Sequence, residues 1–210
     1  MDGGIIEVGG VKYPVACNAF TPIAYSREFF VERKDGSRRP KDINEAISVV
    51  LDVSAASNIP PIVPLLEIFY ACAKTYNATA KEKTDLGKSF EDWVCGFPQT
   101  EFDLERKGGW ASDVMQIIKD NFFPNAKATW KPRPPKHPMP PLPRELESSC
   151  DALYIYSCQQ AGLSVQDLHD LSYVQVQNLI DVYSFVNDAV AYAEDDEHAR
   201  QGETAFWAGM

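Results

Sequence analysis

The chain has 210 residues, 45% hydrophobic and 24% charged, with a formal net charge of −10. From residue 146 onward there are eleven acids and one base, Arg200, so residues 1–145 are neutral and the C-terminal part carries the whole imbalance. With no basic face to displace counterions, nucleic acid is not an expected partner; with no apolar run near the ~18 residues of a bilayer span, neither is a membrane.

Taken in order, residues 5–16 are two short apolar runs joined by Gly9-Gly10, the signature of a two-residue hairpin turn that needs positive φ. Val11, Tyr13 and Val15 share one face, and Pro14, which cannot donate to a ladder, marks an edge strand. Thr21-Pro22 reads as a capping hydroxyl followed by proline at the first helical position. The helix it opens, IAYSREFF, is expected to stop in a charged loop, Lys34–Pro40. Asp42-x-x-Glu45 resembles a capping box, and Ile43, Ala46, Ile47, Val50 and Leu51 then form one helical stripe.

The run PPIVPLLEIFYACAKTY confines its prolines to a first turn and places Leu65, Ile68, Phe69 and Cys72 on a buried face. Residues 77–88 read as a polar loop. Ser89-x-x-Asp92 caps a short helix with Phe90 and Trp93, and a further helix after Gly108-Gly109 carries Val114, Ile117, Ile118 and Phe122. A hairpin and about five helices therefore make up a first unit, residues 1–125.

Between it and the rest lies a proline-rich linker, 126–146, with seven prolines in KPRPPKHPMPPLPRE (131–145). Proline fixes φ and removes a donor, so a polyproline II spacer of roughly 45 Å is expected, at about 3.1 Å per residue. Residues 147–210 read as an acidic helical extension. Glu147–Ala161 can form a helix that ends at Gly162. Leu163-Ser164-x-x-Asp167 and Leu171-Ser172-x-x-Gln175 then repeat one device, an apolar staple, a serine cap and a partner three residues on. The second opens a longer helix with Val176, Leu179, Ile180, Tyr183, Val186 and Val190 on one stripe. The acid run Glu194–Glu197 opposes a helix C-terminus and should fray, and TAFWAGM follows with Phe206 and Trp207. The fold class is thus mainly α with a small N-terminal β-hairpin, in two helical modules joined by a proline-rich linker.

No constellation for catalysis stands out. Gly87-Lys88-Ser89 lacks the glycine five positions earlier that a phosphate loop needs; Glu82 is there. His137, His169 and His198 are isolated and read as surface residues. The five cysteines (17, 72, 95, 150, 158) form no CxxC pair and no zinc spacing, and Cys150 and Cys158 read as small buried side chains. Met1-Asp2-Gly3-Gly4 does not begin a secretory signal. A reduced cytoplasmic binding protein, with no enzyme activity, cofactor or metal, is the expectation. Two features point to binding: four overlapping PxxP matches in the linker, and the Leu163–Val190 region with its acidic flank and aromatic end.

The order of VGGVKYPV, NAFTPIAYSREFF, LLEIFYACAKTYN and SFEDWVCGF, followed by AGLSVQDLHDLSYVQVQNLIDVY and RQGETAFWAG, resembles the tail assembly chaperones of long-tailed bacteriophages, in their long, frameshift-fused form. The resemblance covers most of the chain outside the linker, in order and texture rather than in fixed catalytic letters. The Lys34–Pro40 and Asn77–Lys88 loops depart from the family's compactness. It implies a non-enzymatic protein of the host cytoplasm. Its N-terminal domain would coat the tape measure protein, and its extension, made in minor amounts by programmed frameshifting, would recruit the tail tube protein. On that reading Leu171, Leu179, Ile180, Tyr183, Phe206 and Trp207 form the partner-binding surface, and the linker lets the arm range from its anchor. Self-association stays open. The competing reading is a cytosolic adaptor whose PxxP linker docks an aromatic-grooved domain, and an enzyme with dispersed site residues is a third.

Overall fold

A computed structural model of the chain describes residues 4–57, 61–103, 109–122 and 150–193. The described part is mainly helical, with two small antiparallel hairpins. Strands β1 (Gly4–Val8) and β2 (Val11–Val15) pair in the register Val8↔Val11 and Ile6↔Tyr13. Gly9 and Gly10 occupy the turn at φ +58° and +84°, which only glycine adopts readily at both positions. Ile6, Val8, Tyr13 and Val15 are buried, whereas Val11 at the turn is exposed.

Helix α1 (Thr21–Glu28) carries Pro22 in its first turn. Its capping differs from expectation, because Thr21 is the first helical residue and Phe20 precedes it. The Thr21 hydroxyl accepts from the Asn18 N–H at 3.0 Å, while Asn18 Oδ1 accepts from the Phe20 N–H at 2.9 Å. The helix ends at Glu28, and the region expected as a charged loop is a second hairpin. Strands β3 (Phe30–Glu32) and β4 (Arg38–Pro40) are paired Phe30↔Pro40, and the Asp35 carboxylate accepts from the Ser37 N–H in their turn. Short-range pairing across a tight turn overrode the charge pattern, which is not by itself a barrier to an exposed strand.

In α2 (Ile43–Ser57), Asp42 Oδ1 accepts from the Asn44 N–H at 2.8 Å. The expected box does not close, because Glu45 turns to Arg39 at 3.0 Å. Ile43, Ala46, Ile47 and Val50 face the core as their spacing requires, with Leu51 packed at its margin.

Helix α3 (Ile62–Thr79) is the centre of the unit. Of the eleven positions from Leu65 to Thr75, all but Lys74 are buried, on every side of the helix. That pattern belongs to a helix surrounded by neighbours, not to one with a single apolar stripe. It packs against β2, α1, α2, α4 (Phe90–Cys95) and α5 (Trp110–Phe122). Ser89 caps α4 by accepting from the Asp92 N–H at 3.2 Å. Trp93 sits amid Tyr13, Phe69, Tyr70 and Phe97, with centroids 4.6–5.7 Å away, in largely edge-on geometry. A 3-10 turn (Gln99–Phe102) leads toward α5, whose Trp110 Nε1 donates to the Glu101 carbonyl at 2.8 Å.

The described part of the expected extension forms α6 (Cys150–Gln160), α7 (Asp167–Asp170) and α8 (Tyr173–Ala193). Gly162 follows α6 at φ +82°, the position at which a helix stop favours glycine. The linker, 126–146, lies outside the described residues.

Candidate interaction surface

Two capping boxes set the geometry of the C-terminal helices. The Ser164 N–H donates to Asp167 Oδ2 at 2.7 Å, and the Asp167 N–H donates to Ser164 Oγ at 3.3 Å. Ser172 and Gln175 repeat the exchange at 2.9 and 3.2 Å. Both boxes predicted from spacing are therefore closed, each satisfying two otherwise orphaned donors. The serine bonds hold the exposed Asp167 carboxyl below the usual carboxylate range.

These caps aim the segment at α1. Ala19, Ile23, Cys158, Leu168 and Val176 form a second buried cluster, bordered by Phe20, Tyr154, Ile155, Leu163, Leu171 and Ile180. Polar contacts frame it. The Ala19 N–H donates to the Leu171 carbonyl at 3.0 Å, Asn18 Nδ2 donates to the His169 carbonyl at 3.1 Å, and Tyr154 Oη donates to the Ala19 carbonyl at 3.1 Å. Arg27 pairs with Asp151 at 3.0 Å. Tyr173 ties the junction to the main core, its ring tilted against that of Phe122 with centroids 4.8 Å apart, and it shares hydrogen bonds with Asn44. The expectation of an arm set apart from its anchor thus differs from what residues 150–193 do, which is to dock on residues 18–27.

His169 is correspondingly half-buried, with its ring turned into the junction. Its ring lies 4.2 Å from that of Phe20, and Nδ1 is buried without a hydrogen-bond partner. Burial lowers its pKa, partly opposed by Asp170. Burial raises the Tyr154 and Tyr173 hydroxyls, so both stay protonated donors. A cavity of about 120 Å³ opens beside them, lined by Ser26, Lys41, Asn44, Asp151, Tyr154 and Tyr173 among others. Deeper in, Glu67 is buried and accepts from Tyr25 Oη at 2.7 Å and from Lys41 Nζ at 2.5 Å.

The junction divides the predicted partner-binding residues. Leu171 and Ile180 are half-buried in it. Leu179 and Tyr183 face outward at 40% and 37% exposure, in line with Val182 at 59% and Val186 at 52%. Positions 179, 182, 183 and 186 follow the i, i+3, i+4, i+7 spacing of one helix face. Helix α8 therefore buries one side of its first two turns and presents an apolar row beyond them. Phe206 and Trp207 lie outside the described residues. Val182 was missing from the sequence reading because its own stripe places it beside, not on, the Val176–Ile180 line. The junction residues Asn18, Ala19, Phe20 and Ile23 carried no sequence signal, since their partners lie more than 130 positions away.

Among the described residues, no group of three or more His, Cys, Asp or Glu side chains is placed to hold a metal ion, and no helix is long and apolar enough to cross a membrane. No protein-family model, curated protein or solved structure matches the chain.

Proposed function

We propose that this chain is an assembly chaperone of the kind that serves long-tailed phages, a binding protein of the host cytoplasm and not a catalyst. Residues 1–125 would sheathe the tape measure protein, and the helical extension would recruit the tail tube protein. The observation that carries the binding reading is the row Leu179, Val182, Tyr183 and Val186, exposed on a helix that has a single charge, Asp181, between Tyr173 and Asn187. A solvated helix face is ordinarily charged, and charge depletion around apolar and aromatic residues is the composition of an interface core. The tail-assembly assignment rests on the order of segments along the chain. Leu171 and Ile180 support the row from behind instead of contacting the partner.

The test is binding of the full chain to purified tail tube protein and, separately, to tape measure protein. Leu179→Asp with Val182→Asp should weaken tube binding at least tenfold and leave tape measure binding intact. If the native chain binds neither protein, the tail-assembly reading fails. If it binds the tube protein and the double variant binds equally well, the row is not the recruiting surface.

A further inference from the structure

Residues 16–21 run alongside one face of α3. The Ala16 N–H donates to the Cys72 carbonyl at 3.1 Å, and one turn further along the helix the Thr75 and Thr21 hydroxyls are hydrogen-bonded at 3.2 Å. Between these two clamps lies Cys17, half-buried and packed on the main core to which Cys72 belongs. The two side chains meet, and the Cys72 thiol donates to the Cys17 sulfur. The pair is asymmetric. Cys17 reaches solvent, whereas Cys72 is buried, and its hydrogen bond to Cys17 and its burial hold its pKa well above the usual thiol value. Cys17 is therefore the thiol that an external reagent meets first, because attack needs both access and a thiolate.

We propose that Cys17 and Cys72 form a redox site that reacts with a hydroperoxide and closes to a disulfide. The Cys17 sulfur attacks one peroxide oxygen, the O–O bond breaks, and the Cys17 proton leaves with the other oxygen as water or an alcohol. Cys17 is then a sulfenic acid. The Cys72 sulfur attacks it, the S–O bond breaks, and the hydroxyl departs with the Cys72 proton as water. Two thiols lose two electrons in all, and the peroxide takes them up. Oxidation of Cys17 also removes the neighbouring sulfur that had held the Cys72 proton in place. Contact between the two sulfurs lets Cys72 intercept the sulfenic acid before a second peroxide does. The bond would fasten to α3 the loop whose next residue, Asn18, holds the His169 carbonyl. The seat of residues 150–193 would thus be joined covalently to the main core. In a reducing compartment such a bond is transient, made under oxidant and reversed by thiols. The inference does not depend on which protein the α8 row binds.

The test treats the dilute, folded full chain with hydrogen peroxide, blocks the remaining thiols and maps the peptides by mass. The expected product has lost two hydrogens, carries a peptide pair joined through Cys17 and Cys72, and returns to the starting mass with dithiothreitol. Cys95 is exposed and serves as the internal reference for exposure to the oxidant. In Cys72→Ala, where no thiol can intercept the sulfenic acid, Cys17 should instead run on to the sulfinic acid. The map of the native chain decides the matter even if that variant does not fold. Three results would overturn the proposal: Cys17 untouched when Cys95 is already oxidised, Cys17 as sulfinic acid beside a free Cys72, or Cys17 joined to a cysteine other than Cys72.

Discussion

The side-chain amide of Asn18 donates to the backbone carbonyl of His169 at 3.1 Å, across 151 positions of sequence. Asn18 is itself pinned, its N–H bonded to the Thr21 hydroxyl and its Oδ1 to the Phe20 N–H. A loop that organises the start of α1 thereby also receives the end of α7. Local capping and long-range docking share one side chain.

Docking should be separable from the main core. Leu168 is fully buried in the small junction cluster, which includes none of the main-core residues. Leu168→Ala should cost about 2–5 kcal/mol of junction stability. Amide exchange should then quicken across α6–α8, while protection in α3 stays at its native level. Equal loss in α3 would show that the two clusters unfold as one.

The junction should also weaken in acid. His169 has a folded pKa below its ordinary value of 6.5, so the undocked segment binds a proton more readily than the docked one. Its contribution is fully present above about pH 6.5 and is lost as pH falls from there through the lowered folded value. Exchange in α8 should rise between pH 7.5 and 5.5 relative to α3. His169→Gln, which cannot titrate, should flatten that dependence.

Glu67 is buried and answers two donors, Tyr25 Oη and Lys41 Nζ. Burial and the carboxylate together raise the Tyr25 hydroxyl, which remains the donor. Removing the carboxylate leaves the buried Tyr25 hydroxyl without its acceptor and the part-buried Lys41 ammonium without its counter-charge. Glu67→Ala should therefore lower unfolding stability by about 3–5 kcal/mol, whereas Tyr25→Phe, which leaves the Lys41 pair intact, should cost about 1–2 kcal/mol. Denaturant midpoints of the two variants check the order.

The two turn glycines should respond unequally. A Cβ on Gly9 would lie 2.5 Å from Pro98 Cγ, while one on Gly10 would meet nothing within 4 Å. Both positions have positive φ, so both alanine variants carry backbone strain, about 1 kcal/mol. Gly9→Ala adds a clash and should lower the thermal midpoint more than Gly10→Ala does.

Much of this architecture was readable one segment at a time. The Gly9-Gly10 turn, the Ser89 cap, the Ser164–Asp167 and Ser172–Gln175 boxes and the α2 and α5 stripes all appear where their residues place them. Each depends on groups within three or four positions or on one helical period, so the sequence alone contains both partners. Where a local device failed, a competing partner was the cause: Glu45 bonds Arg39 in place of its own helix start.

The candidate surface divides along the same line. That α8 would be apolar on one side was legible from periodicity. Which of its apolar residues stay exposed depended on the reach of α1 and α6 along it, and that reach ends near Ile180, leaving Leu179, Val182, Tyr183 and Val186 uncovered. Periodicity marks a face as apolar but does not say what covers it. Cover comes from packing between segments far apart in the chain, and here a His169 ring on Phe20 and a Leu171 carbonyl on the Ala19 N–H supply it.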